Sequence, residues 1–366
     1  MDEHPQPNPD QMTHHTLSLW RDALLIVTLS VLGLYGGSGF LIPLVLAILV
    51  FVLISAVSDR VRELWPLSLA MPVWLANLTG VVVVLSGVLA LVYVVVNQAT
   101  QFALTMPSYE VELDTAITRV ATLMGNSAAH ALKDMIIGVD ISVLAMTAFG
   151  GARSFLSTFL LIFLYVAFMM AERGTFARKV QITVGHHRIG RDLSGVTQEI
   201  SRSLQRYVGI KTFLSALTAL ISYVVFRYLG LEFAETWAVL TFALNFIPSI
   251  GSIVAVLFPA AVSLVQFETI TPFLIILFGC GTVQFAIGNF LDPALLGRSL
   301  NLSTLMVILA LTFWTSVWGV TGAFLSVPLT VCLLIVFAHI PAVRPLAILM
   351  SQDGTLVDDE GDDFAK

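Results

Sequence analysis

The chain alternates long apolar runs with short polar stretches, and six of the runs have the length of a single membrane crossing. A transmembrane helix needs about 20 mainly apolar residues to cross the hydrocarbon core of a bilayer. The runs that meet this requirement are residues 20–38, 41–57, 73–97, 152–171, 208–229 and 271–291. The pattern predicts an all-α polytopic membrane protein.

Two further apolar runs, residues 234–266 and 303–337, are too long for one crossing. A straight helix of either length would measure about 50 Å. Each run carries helix-breaking residues near its middle, Pro248 and Gly251 in the first and Gly322 in the second. Backbone groups freed by such breaks are tolerated at membrane depth only inside protein or beside a watery cavity. We therefore predict six spanning helices plus two broken helices or re-entrant helical hairpins.

The charges of the polar stretches predict which side of the membrane each one faces. The segment 172–207 is rich in arginine and lysine, and we expect it to be helical and cytoplasmic because positively charged loops stay inside. Arg60 and Arg62 place the loop before residue 73 on the same side. The segment 98–151 has more acidic than basic residues, and its apolar spacing predicts amphipathic helices at the outer, periplasmic face. This alternation puts both termini in the cytoplasm.

The remaining boundaries follow from these assignments. Residues 1–16 are polar and residues 351–366 are acidic, so both ends are expected to be disordered. Residues 17–97 would hold the first three membrane helices, and residues 152–171 the next one. The segment 208–340 would form the membrane core that contains both broken runs.

Composition excludes several other classes of protein. The chain is 57% hydrophobic and 11% charged, whereas soluble domains carry about 25% charged residues, so its apolar surface has to lie against membrane lipids. The net charge of −6 gives no reason to expect a nucleic-acid partner. Cys280 and Cys332 lie within apolar runs and are predicted to be small core residues rather than a disulfide or a metal pair.

The chain has none of the short motifs that mark common catalytic sites. It lacks a His-Glu-x-x-His zinc motif, a Gly-x-Ser-x-Gly nucleophile turn and a phosphate-binding P-loop. We therefore expect no catalytic residues, no metal and no cofactor. Transport would be passive or driven by a gradient.

Polar residues within the apolar runs are the candidates for function, because they are costly at membrane depth. Broken helix ends also expose backbone groups that can bind an ion or a polar solute. The candidate transport residues are Asn245, Pro248, Gly251, Gln284, Asn289, Asp292, Pro293 and Gly322. Asp292 could bind a cation or a proton, or it could cap a helix at the membrane edge. Asn245 could bind a solute, or it could form a hydrogen bond between two helices.

Three short blocks of sequence resemble one known family. They are Asn245-Phe-Ile-Pro-Ser-Ile-Gly-Ser, Asn289-Phe-Leu-Asp-Pro-Ala-Leu-Leu-Gly297 and Trp318-Gly-Val-Thr-Gly-Ala-Phe-Leu-Ser-Val-Pro328-Leu. Together, and in this order, they resemble the autoinducer-2 exporter family, also called PerM-like permeases, over residues 17–340. After the second block, where that family often has a His-Pro pair, this chain has Leu302 and Ser303.

The resemblance implies a permease of the bacterial inner membrane that assembles as a homo-oligomer. Some members of the family are credited with export of the small signal autoinducer-2, and others with sodium/proton antiport. Membership therefore indicates a class of protein rather than one substrate.

Three hypotheses for function are open on the sequence alone. The first is a carrier or exporter of a small polar solute, such as autoinducer-2, with the two broken runs forming its binding site. The second is a sodium/proton-type antiporter in which Asp292 exchanges a monovalent cation or a proton. The third is a membrane scaffold without transport, which would bind partners through residues 98–151 and 172–211. The breaks within two long apolar runs favour the first.

Overall fold

The computed structural model describes a helical membrane protein. The described residues are 9–64, 72–90, 93–94, 97, 158–175, 178–179, 188–296 and 301–355. Six helices in this part of the chain are long and apolar enough to cross a membrane. The predicted class, an all-α polytopic membrane protein, is confirmed. The predicted outer segment 98–151 and most of the basic stretch before residue 188 lie outside the described residues.

The described part of the chain contains ten helices, formed mainly by runs of Leu, Val, Ala, Ile and Phe. A helix satisfies every backbone polar group within its own segment, which a bilayer requires. The helices are α1 (Pro9–Gly36), α2 (Ser38–Leu64), α3 (Val73–Ala90), α4 (Thr158–Thr175), α5 (Arg188–Leu229), α6 (Ala234–Leu244), α7 (Ile250–Gln266), α8 (Thr271–Leu296), α9 (Thr304–Ala338) and α10 (Arg344–Met350).

α1 begins at Pro9, although the sequence led us to expect disorder up to residue 16. Proline suits the first turn of a helix, because its φ is already helical and its missing N–H would have no partner there. α2 follows after a single residue, Gly37, whose N–H donates to the Gly33 carbonyl at 2.8 Å. A Cβ on Gly37 would lie 2.8 Å from that same oxygen, so this junction requires glycine.

α5 is one continuous helix of 42 residues, about 63 Å long. It joins the basic segment to the apolar run 208–229 across the boundary expected after residue 207. No proline interrupts it, and a single mid-helix glycine such as Gly209 costs only about 1 kcal/mol. Its first half packs against α2 and α9 through Leu204 and Val208, and its second half packs against α6, α7 and α8 through Phe226. α5 is therefore the scaffold that the rest of the core shares.

α6 and α7 form a helical hairpin, called hairpin 1 below. The Gln266 side chain closes its base, accepting a hydrogen bond from the Glu232 N–H and donating one to the Gly230 carbonyl, both at 2.8 Å. Farther from the base, Trp237 of α6 and Phe258 of α7 line one apolar cavity of about 220 Å³. The segment therefore enters and leaves at the same end instead of crossing.

The tip of hairpin 1 is a tight turn at Pro248, Ser249 and Ile250. The Ile250 N–H donates to the Pro248 carbonyl at 2.6 Å, and Ser249 between them has φ 59° and ψ −55°. This γ-turn is rare, and it strains any residue that has a side chain. Gly251 follows because a Cβ there would overlap the Leu244 carbonyl oxygen. The turn explains the break that the sequence predicted.

α9 also folds back on itself and is called hairpin 2 below. Its backbone leaves the helical region at Trp318 and at Gly319, whose φ is 60°. The Trp314 indole Nε1 donates to Thr330 Oγ1 at 3.2 Å, although this stretch of straight helix would separate the two residues by about 24 Å. Gly322 lies in the turn, where a Cβ would overlap the Trp314 carbonyl oxygen. Both long apolar runs are therefore hairpins.

The two hairpins approach each other from opposite ends of α8. That helix starts just after the base of hairpin 1 and ends just before the base of hairpin 2, and its 26 residues measure about 39 Å. The Ser303 N–H donates to the Met350 carbonyl at 3.0 Å and ties α10 to the base of hairpin 2. The tips meet where the rings of Phe246 and Phe324 stack. The two hairpins therefore point toward each other, with their tips in contact.

Part of the acidic tail is ordered against the base of hairpin 2. The Asn301 Nδ2 donates to the Thr355 carbonyl at 2.6 Å, and the Asn301 Oδ1 accepts from the Gln352 N–H at 3.2 Å. The expectation of a disordered tail over 351–366 thus does not hold for its first five residues, because an asparagine side chain satisfies their backbone. Residues 356–366 lie outside the described residues.

Candidate translocation site

A stripe of polar side chains runs along the second half of α5. Lys211, Ser215, Thr218 and Ser222 follow one another at spacings of three and four residues, which places them on one face of the helix. The three hydroxyl residues are at most 1% exposed. Polar groups at this depth require partners, so the stripe marks the face of α5 on which to look for a site.

α8 lies antiparallel against this stripe. Two contacts fix its register: the Lys211 Nζ–Asp292 Oδ2 ion pair at 2.7 Å, and the proximity of the Ser222 hydroxyl to the Cys280 thiol. Gln284, between Cys280 and Asp292, therefore lies level with the middle of the stripe. It is 7% exposed, and its Nε2 has no hydrogen-bond partner in the described part of the chain.

Hairpin 1 also packs against the polar stripe of α5. The Asn245 Nδ2 donates to Ser215 Oγ at 3.2 Å, and the Tyr223 hydroxyl donates to the Glu235 carboxylate at 3.3 Å. These two contacts make α6 antiparallel to α5 and bring Thr241 to the level of Thr218. The Thr241 hydroxyl is buried and, among the described residues, has no partner.

Two buried polar groups from two different elements thus lie at the level of Thr218. A buried polar group left without a hydrogen bond costs about 1–3 kcal/mol, and such groups call for an explanation when a structure retains them. We name this region the polar seam. It consists of Ser215, Thr218 and Ser222 of α5, Thr241 and Asn245 of hairpin 1, and Gln284 of α8. Its amide and hydroxyl groups can both donate to and accept from a small polar molecule.

One end of the polar seam is closed by the Lys211–Asp292 ion pair. The two side chains are only 12% and 19% exposed. Asp292 Oδ2 accepts a hydrogen bond from the Lys211 ammonium group, whereas Oδ1 is buried without a partner among the residues that the structure describes. Asp292 therefore acts as the counter-ion of Lys211 rather than as the helix cap considered from the sequence. Lys211 was not among the predicted site residues; its helical spacing with Ser215, Thr218 and Ser222 is the signal that would have found it.

The structure brings some of the predicted site residues together and separates others. Asn245 and Gln284 lie in the polar seam, and Asp292 lies at its end. Asn289 and Pro293 lie on the exposed face of α8, away from the seam, and the Asn289 Nδ2 donates to the Phe285 carbonyl at 3.0 Å.

The other predicted residues, Pro248, Gly251 and Gly322, shape the turns of the two hairpins. Asn245 also forms a hydrogen bond between two helices, which was the alternative to solute binding considered from the sequence. Because its partner Ser215 belongs to the polar seam, this structural contact lies within the proposed site.

α8 is not a uniform helix at the seam. π-helical turns occupy Ile275–Cys280 and Ile287–Leu291, one on each side of Gln284. Such turns insert an extra residue and are frequent at functional sites. Here they set which side chains of α8 face α5.

Comparison with known proteins identifies what this arrangement is similar to. The sequence model of one family, described as AI-2E family transporter, matches residues 24–342. The AI-2 transport protein TqsA of Escherichia coli K12 is 30% identical over 338 residues, which cover 87% of this chain and 91% of TqsA. YhhT of the same organism, named for transport without a stated substrate, is 26% identical over 331 residues, covering 88% of this chain and 90% of YhhT.

Proposed function

The chain belongs to the AI-2E transporter family and is a multi-pass membrane permease or exporter, and from that premise we propose that it moves a small, uncharged polar solute along the polar seam. The observation that carries this proposal is a pair of buried groups at the level of Thr218, Thr241 Oγ1 and Gln284 Nε2, which have no hydrogen-bond partner among the described residues. A solute with hydroxyl or carbonyl oxygens would supply the hydrogen bonds that these groups lack.

The chemistry of the seam supports an uncharged solute. Between Lys211 and Arg227, α5 has no charged residue, and neither do residues 236–267 nor residues 271–291. A charged solute would pay for its desolvation without finding a counter-charge along this path. By similarity to the relative named for it, AI-2 is the first solute to test.

Sodium/proton-type antiport is the second candidate function. The observation in its favour is Asp292, a carboxylate beside the seam whose Oδ1 lacks a partner in the described part of the chain. The ion pair with Lys211 weighs against it, because the carboxylate already has a cation at 2.7 Å.

We further propose the setting in which this function operates. The chain would lie in the bacterial inner membrane with both termini cytoplasmic, surrounded by lipid and by other copies of itself. Exposed apolar side chains along α1, such as Leu25, Leu29 and Leu32, provide surface for both kinds of contact. We expect no catalytic activity, in keeping with relatives named as transport proteins.

Flux measurements with the purified full-length protein in liposomes test the proposal. Uptake of AI-2 and of a panel of small neutral polyols would be compared with uptake of sodium, each with and without an ion gradient. We expect uptake of at least one uncharged solute above the level of protein-free liposomes, and loss of that uptake in a Thr241→Val/Gln284→Leu variant. Uptake of sodium alone would replace this proposal with the second candidate.

A further inference from the structure

We propose that Lys211 determines the specificity of the polar seam, acting as a built-in cation that occupies Asp292 and so keeps free monovalent cations out. The inference rests on the proposed function, because it assigns to Lys211 the selection of uncharged solutes over ions on the same path. It also predicts an activity that the native chain does not have and that one substitution would create.

The position of the pair supports this role. Lys211 lies 18 residues before the end of α5 at Leu229, or about 27 Å along the helix, which is close to the full ~30 Å thickness of the hydrocarbon core. The pair therefore lies near one boundary of the membrane, at the end of the seam where a solute would enter or leave. Asp292 is the only acidic residue of α8.

Burial makes the lysine necessary. At 19% exposure, the Asp292 side chain has lost most of its water, and a carboxylate in such a place needs a positive partner. Lysine supplies a compact charge on a flexible stem, with three donors and no acceptor. Its ammonium group pairs with Asp292 Oδ2 at 2.7 Å. It therefore occupies the position beside the carboxylate oxygen that a sodium ion would otherwise occupy.

The residues around Asp292 would accommodate a cation if the lysine were absent. The Asp292 Oδ1 is buried with no partner in the described chain, and the Ser215 hydroxyl lies one helical turn beyond Lys211. Hard monovalent and divalent cations bind through oxygen atoms of this kind. Removing only the ammonium group would therefore leave a carboxylate with both oxygens available.

Two neighbours must be accounted for in the test. Tyr207 lies one turn before Lys211 and is buried near Asp292, but a phenol carries no positive charge. Arg206 is exposed and donates to the Leu295 carbonyl at 3.5 Å, so it is a cation of α5 that already reaches α8. When the Lys211 ammonium group is removed, Arg206 could pair with Asp292 in its place. A second variant therefore has to replace Arg206 as well.

The experiment measures radioactive sodium uptake by full-length protein in liposomes, in one alkaline buffer. The variants are Lys211→Met, which keeps the apolar stem, Lys211→Arg, which keeps the charge, and the double variants Lys211→Met/Asp292→Asn and Lys211→Met/Arg206→Gln. Lys211→Gln provides a second charge-free side chain should the methionine variant fail to insert. Elution from a sizing column in mild detergent checks that each variant is folded.

We expect wild type and Lys211→Arg to remain at the level of protein-free liposomes. Lys211→Met and Lys211→Met/Arg206→Gln should take up sodium, and Lys211→Met/Asp292→Asn should return to background. Absence of sodium uptake in every folded charge-free variant, with Arg206 present or removed, overturns the proposal, as does Asp292-dependent sodium uptake by wild type. A wild type that moves no uncharged solute would contradict the proposed function, yet the sodium results could still be interpreted on their own.

Discussion

The Asn245 amide at the end of α6 donates to the Ser215 hydroxyl of α5 at 3.2 Å, and both side chains are buried. This contact anchors the tip of hairpin 1 to the polar stripe one turn from Lys211. Asn245 also lies in the proposed path of the solute, where losing one polar contact to the bound solute costs about 1–3 kcal/mol, so Asn245→Ala is expected to lower transport about 5- to 150-fold. Initial rates of solute flux at equal protein level provide the measurement.

Asn289 provides the matched control for that variant. It is also an asparagine in an apolar helix, but it lies on the exposed face of α8, and within the described part of the chain its side chain bonds to the Phe285 carbonyl of the same helix. Asn289→Ala should transport at the wild-type rate. Equal loss of transport in both variants would show that the effect comes from removing any polar group in the membrane rather than from the seam.

The unpaired groups of the seam predict opposite effects on stability and on transport. Thr241→Val and Gln284→Leu remove buried groups that have no partner in the described structure, while keeping similar shapes. Each should raise the free energy of unfolding by about 1 kcal/mol and reduce solute flux, as expected when a site retains strain for function. Thermal midpoints in detergent and flux in liposomes, measured on the same preparations, check both parts. A variant that is stabilised and still transports normally would remove that residue from the proposed path.

The hairpin turns predict strict requirements for glycine. A Cβ at Gly251 or at Gly322 would overlap a carbonyl oxygen of the opposite arm, so Gly251→Ala and Gly322→Ala should both fail to give folded protein. Gly209 is the control, because a Cβ there would meet no atom of the described residues within 4 Å. Gly209→Ala should fold normally and gain up to about 1 kcal/mol, the usual preference for alanine within a helix. Yield and monodispersity after extraction in detergent distinguish the two outcomes.

The aromatic contact between the hairpin tips predicts how they depend on each other. The rings of Phe246 and Phe324 stack with centroids 4.8 Å apart and 29° between their planes, and Phe246 is 8% exposed. Phe246→Ala should destabilise the protein by about 3–5 kcal/mol, whereas Phe246→Leu should cost much less because it retains most of the apolar volume. In a double-mutant cycle with Phe324→Ala, thermal unfolding should reveal a coupling between the two rings; strictly additive losses would contradict the proposed contact between tips.

The length of the apolar runs and the position of their breakers were enough to predict a break in each run, but not whether the broken run crosses the membrane or folds back. What the sequence could not provide was the pairing between elements. Lys211 and Asp292 are 81 residues apart, and only the packing of α8 on α5 brings them together. The π-helical turn at Ile287–Leu291 is equally invisible to a pattern analysis, which assumes a constant α-helical period. That turn changes the phase of α8 between Gln284 and Asp292. Asn289 was predicted because it is polar within an apolar run, and polarity alone does not determine which face of the helix a side chain occupies.

The shortness of the first arm of hairpin 1 has a consequence for biosynthesis. Its 11 residues measure about 16 Å, roughly half the hydrocarbon core, so the arm cannot be recognised as a membrane span while it leaves the ribosome. Its position depends instead on the Asn245–Ser215 contact with α5, made earlier, and on the packing of α7 against α8, made later. Hairpin 1 should consequently reach its final depth only after α8 has been synthesised, which makes its insertion a late step of assembly rather than a sequential one.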